Sequence, residues 1–157
     1  MSRTIPFQRS SQAARTRLSK AQLLPIPRAV ADELALAAHM SLAALRSGAT
    51  DVAPAQHITE AMLLAKFLAE AGHGDFSHDE LLLADQTMAA VFDAGRVSGI
   101  WSLPPEGSDR LAAIVSLYDH QLRRATLGAL SVASERLERI KTGEPYQPMQ
   151  PRQSAPL

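Results

Sequence analysis

Residues 54–72 read PAQHITEAMLLAKFLAEAG. Ile58, Met62, Ala65 and Ala69 recur there at steps of three and four, the spacing that stacks side chains on one face of a helix. Leu63, Leu64, Phe67 and Leu68 spread apolar surface round much of the remainder, and only Glu60, Lys66 and Glu70 interrupt it strongly. The spacing predicts a helix that begins near Pro54 and stops before Gly72. A helix this apolar belongs at the centre of its domain or at a contact between chains.

The same period continues on both sides. Upstream, a helix is predicted from about Pro27 to Ser47, because Pro27 suits a first turn and Gly48 suits the position past the end. Val30, Leu34, Ala37, Ala38, Leu42 and Leu45 make its apolar face. Asp32, His39 and Arg46, seven residues apart, form a narrow polar stripe opposite. Before it, residues 21–27 (AQLLPIP) hold two prolines two apart, which impose an extended backbone. They predict a strap that packs Leu23, Leu24 and Ile26 on the body.

Downstream, Ser77-His78-Asp79-Glu80 reads as a capping box that starts a third helix. Leu81, Ala84, Met88, Val91 and Phe92 would be its buried line, and Gly95 or Gly99 its end. A fourth helical region is expected from Ser108 to Thr142, along Leu111, Val115, Tyr118, Leu122, Ala125, Ala129 and Val132. Thirty-odd residues would span about 50 Å, against roughly 30 Å for the others. This region must therefore break near residues 126–128, with Gly128 the expected kink, or project. A projecting end would leave Leu130, Leu137 and Ile140 to a partner chain. Between the third and fourth regions, residues 99–107 (GIWSLPPEG) form a loop around Trp101. That indole is expected to plug one end of the bundle, or else to stack on a partner or a base.

The expected fold is all-α, an antiparallel bundle of about four helices spanning 21–142. Residues 1–20 read as a basic disordered arm, and residues 143–157 as a Pro- and Gln-rich disordered tail. Composition agrees. The chain is 46% hydrophobic but has one Trp, two Tyr and four Phe, so its core must be Leu, Ala, Val, Ile and Met, a mixture that favours helices over sheets. No cysteine is present, which excludes disulfides, thiolate metal sites and cysteine nucleophiles. No apolar run has the length of a membrane span and none resembles a secretory signal, so a cytoplasmic location without membrane contact is expected.

The net charge is zero but uneven. Arg3, Arg9, Arg15, Arg17 and Lys20 sit in an arm without acids, whereas residues 29–143 carry nine basic and fifteen acidic side chains, a balance of −6. The arm could neutralise phosphates and makes nucleic acid an alternative partner. The acidic body opposes broad duplex wrapping.

Sequence motifs for catalysis are lacking. Neither a phosphate-binding Gly-x-x-x-x-Gly-Lys, nor Gly-x-Ser-x-Gly, nor His-Glu-x-x-His occurs. The histidines are His39, His57, His73, His78 and His120, and residues 73–80 crowd two of them with several acids. Those acids, however, have helix-capping work to do without a metal. Asp119 and His120 lie beside Arg123 and Arg124, and Asp119 with Arg123 has the four-residue spacing of a surface ion pair. No cofactor, metal or catalytic residue is expected.

The run Lys20-Ala-Gln-Leu-Leu-Pro-Ile-Pro27, with Ala38-His39 and Leu42-Ala-Ala-Leu-Arg46-Ser-Gly48, resembles a group of small helical proteins of β-proteobacteria, some labelled Fis-like transcriptional regulators. The resemblance covers residues 18–48. It implies a bacterial accessory protein and brings no DNA-reading residue with it. The function expected is a helical interaction module that binds a protein partner or itself, without catalysis. The alternatives are a nucleic-acid-associated regulator acting through the arm, and a metal enzyme built on histidine and carboxylate.

Overall fold

A computed structural model describes residues 20–75 and 77–143. The protein is all-helical. Five helices follow in order: α1 (Arg28–Ser47), α2 (Ala53–Glu70), α3 (His78–Ser98), α4 (Pro105–Arg124) and α5 (Leu127–Lys141). Residues 20–23 are helical as well. The count therefore exceeds the four helices expected. The expected arm 1–19 and tail 144–157 lie outside the described residues. No described helix is long and apolar enough to cross a membrane.

Local chemistry sets most of the helix ends. Ser77 accepts a hydrogen bond from the Glu80 amide at 3.4 Å, the first half of the expected capping box. Asp79 and Glu80 add negative charge at the positive end of α3. Gly99 closes α3 in the left-handed region at φ 74°, so the glycine that ends it is the later of the two candidates. Gly95 is buried inside the helix, where a Cβ would land in the Trp101 indole.

The fourth helical region needs two corrections. It starts at Pro105, three residues before Ser108, because a proline is well placed in a first turn. It breaks at Ala125 and Thr126, not at Gly128. Both of those residues are extended, at ψ 156°, and the Thr126 hydroxyl caps α5 by accepting the Ala129 amide at 3.1 Å. Gly128 lies in the first turn of α5 and serves another purpose. A Cβ there would come within 3.0 Å of the Gln22 Cβ and carbonyl oxygen. Lacking one, it lets the N-terminal segment lie against the start of α5. The Leu127 amide donates to the Leu24 carbonyl at 2.8 Å, and the Ile26 amide to the Ala125 carbonyl at 3.4 Å. The strap thus exists, but backbone hydrogen bonds and Ile26 hold it. Leu23 and Leu24 point outward, 75% and 60% exposed.

α2 is the central element: α1, α3, α4 and α5 all pack on it. Ile58, Ala65, Phe67 and Leu68 are essentially inaccessible, which accounts for apolar residues on more than one of its faces. Fully burying a side chain the size of Leu68 contributes about 2 kcal/mol. α5 turns back along α2 instead of projecting. Leu130, Ala133 and Leu137 are buried, and Ile140 packs against the core. Arg136 fixes the register, its guanidinium 4.0 Å above the Phe67 ring and 2.8 Å from Glu70. Lys141 reaches Glu60 at 2.9 Å, so α5 runs antiparallel to α2.

Candidate functional site

The polar stripe of α1, though exposed, reaches α4 at two of its three residues. His39 Nε2 lies 3.2 Å from a carboxylate oxygen of Asp119, and Arg46 donates to Ser108. Arg123 holds the other Asp119 oxygen at 2.9 Å, the pair implied by their spacing. The hydrogen bond and charge of Asp119, with a smaller contribution from the charge of Asp32, push the Arg123 guanidinium up. Partial burial pushes the Asp119 carboxyl up, but hydrogen bonds from Arg123 and His39, with their charges, more than offset it and hold it below the usual range. Chemically this is a latch between two antiparallel helices. His120, next in sequence, is exposed and outside it.

Other titratable and polar groups serve the interior. Burial, helped by the charge of Glu60, pushes the Tyr118 hydroxyl up to about 12. The buried Gln121 amide donates to the carbonyls of Ala65 at 2.9 Å and His73 at 2.8 Å, tying α4 to the end of α2. Among the described residues, no three His, Asp or Glu side chains gather as a metal site requires.

The residues named from sequence as partner contacts lie elsewhere than expected. Leu130, Leu137 and Ile140 belong to the α2–α5 packing and are not offered to another chain. Trp101 is half-buried against the core. Its loop is clamped by paired backbone hydrogen bonds to Ala49 at 2.8 and 2.9 Å, and by the Leu103 amide to the Leu45 carbonyl at 2.9 Å. Of the five arm cations, Lys20 is exposed and helical. Arg3, Arg9, Arg15 and Arg17 lie outside the described residues.

Apolar side chains left in water occur at Leu36 and Met40 on α1, Leu82 and Leu83 on α3, and Val97 and Ile100 near its end. Leu82, 48% exposed, adjoins a cleft; it continues an apolar wall formed by Met62 and Leu63 of α2 and Leu81 of α3. This cleft, of about 280 Å³, is closed at its edges by Thr59, Lys66, His78 and Asp85. A second hollow of about 320 Å³ continues it toward the α2–α3 turn, past Glu70, Gly74 and Asp75, and shares Lys66, His78 and Leu81. Asp75, Asp79, Glu80 and Asp85 are all exposed, and none forms an ion pair with a described residue. The cleft is thus apolar at its base, and its margin is mixed, acidic at Asp85 and cationic at Lys66, with Thr59 and His78 between. One sequence signal pointed to it: the run Leu81-Leu82-Leu83 carries more apolar surface than one buried helix line can use.

No protein-family model, no curated protein and no solved structure matches the chain.

Proposed function

We propose that this chain is a non-catalytic helical binding module that takes an apolar stretch of protein in the cleft between α2 and α3. The observation that carries this reading is the Leu63–Leu81–Leu82 wall over buried Met62, left partly in water inside a polar margin of Thr59, Lys66, His78 and Asp85. An apolar centre with a polar rim is the usual anatomy of a protein contact. Helical grooves of this kind take segments that present spaced apolar anchors. Of the two features that suggested a partner in the sequence, the overlong fourth region folds back on α2, and the over-apolar second helix is covered by four helices except where Leu63 reaches the cleft. The cleft now supports the reading in their place. The absence of cysteine favours a cytoplasmic setting.

The test compares two exposed leucines in the full chain. Leu82→Asp puts a charge on the cleft wall, and Leu36→Asp puts one on the outer face of α1. Proteins retained by the wild-type chain from its native cell should be lost about tenfold or more with Leu82→Asp and kept with Leu36→Asp. Equal retention by both variants would refute the assignment, provided circular dichroism shows both folded.

A further inference from the structure

We infer that this chain pairs with a second copy of itself through the outer face of α3, the two helices running antiparallel across a two-fold axis near Ala90. The inference rests on the Leu82 wall being a contact surface and names a partner for it.

α3 is apolar on two sides. Ala84, Met88, Val91 and Gly95 are buried, and α2 and α4 pack on the helix. On the outer side Leu83, Ala90 and Val97 are all exposed. They lie seven residues apart, and seven residues drift by only about 20° on a straight helix, so the three share a face. Val97 is 92% exposed and Leu83 43%. Leu82, on the wall of the cleft, borders this face beside Leu83.

The face is complementary to itself. A two-fold contact uses one patch twice, so a protruding group at one end needs an apolar surface to receive it at the other. With the axis at Ala90, Val97 of each copy falls opposite Leu83 of the other, next to Leu82 and the edge of the cleft. Ala90 meets its own counterpart at the centre, where a small side chain lets the helices approach closely.

Charge fixes the direction. Asp85 and Arg96 are eleven residues apart, close to three full turns, so they lie on one flank of the face. Antiparallel pairing sets that flank against the same flank of the second copy and brings Arg96 of each alongside Asp85 of the other. A parallel pair would put Asp85 level with Asp85 and Arg96 level with Arg96, without such a contact. Asp85 forms no ion pair with a described residue. Arg96 lies 3.7 Å from Asp93 on its own helix, with both side chains exposed. A guanidinium has five donors and can hold a second carboxylate.

Size sets the strength. The 21 residues of α3 extend about 30 Å. A strip of that length and about 10 Å wide is smaller than the roughly 800 Å² that each partner gives to a stable complex. The pair is therefore a weak dimer that forms as concentration rises.

Sedimentation of the full chain from about 1 µM to about 1 mM reads this directly. The wild-type chain should pass from monomer to dimer over that range, and Val97→Asp should stay monomeric. Asp85→Arg and Arg96→Asp should each weaken the dimer about tenfold or more. An equimolar mixture of those two variants should recover it, because each mixed pair regains both contacts between opposite charges. A wild-type chain that is monomeric throughout would overturn the inference. So would a dimer unaffected by Val97→Asp, with circular dichroism showing the variant folded. A mixture that recovers nothing would overturn the antiparallel pairing. Val97 is not part of the cleft lining. If no dimer forms, the retention assay with Leu82→Asp still decides separately whether the cleft binds other proteins.

Discussion

At single residues, the interior is specified by close fits that substitution can report. Gly95 faces the Trp101 indole with no room for a methyl group. Gly95→Ala must displace the chain's one tryptophan or bend α3, at a cost of about 1–3 kcal/mol. The expected readout is a red-shifted tryptophan emission with a lowered thermal midpoint; unchanged emission would mean that the indole does not seat on Gly95. Asp119 supplies a test against pH. Its folded carboxyl titrates below its ordinary value, so the folded state is stabilised by the charged form. That contribution is present above the unfolded carboxyl's pKa, about 3.9, and is lost as the pH falls through the folded value. Asp119→Asn should lower the urea midpoint at pH 7, by a gap that narrows as the pH falls below the ordinary carboxyl range and through the folded value. A constant gap would place its role in shape and not in charge.

Among the elements, the break between α4 and α5 decides the architecture, because it turns a long helical region back over α2. Thr126 caps α5 there, so Thr126→Ala should cost about 1 kcal/mol, measured by chemical denaturation. No loss would show that packing of Leu130 and Leu137 alone orders α5. The helix periods, the Ser77 cap and the end of α1 at Gly48 were all readable in the sequence, since they depend on neighbours within a turn or two. The break near residues 126–128 was readable too, but not which residue makes it. Gly128 has the poorer intrinsic helix propensity, but Thr126 can satisfy an amide in a new first turn. What Gly128 provides is an approach distance to Gln22, a contact between residues far apart in the chain. The α1 polar stripe was legible as a stripe, but its contacts with Asp119 and Ser108 of α4 were not. Leu23 and Leu24 read as buried anchors because hydrophobicity alone does not reveal that backbone hydrogen bonds already hold that strap. The cleft was the least legible part, since it arises where two helices do not close on each other.

For the molecule as a whole, charge is segregated along the chain: an acid-free N-terminal arm precedes a body of net −6 over residues 29–143. An arm of that charge would attract an external polyanion, an attraction that weakens with salt, whereas a protein partner is expected at the cleft. The position of contact tells them apart. A photo-reactive side chain placed at Leu82 of the full chain, and for comparison at Leu36, can be activated in the native cell. The account predicts protein adducts from position 82 that map to apolar stretches of a partner, and few from position 36. Equal yields from the two positions, or adducts from position 82 to nucleic acid alone, would contradict it.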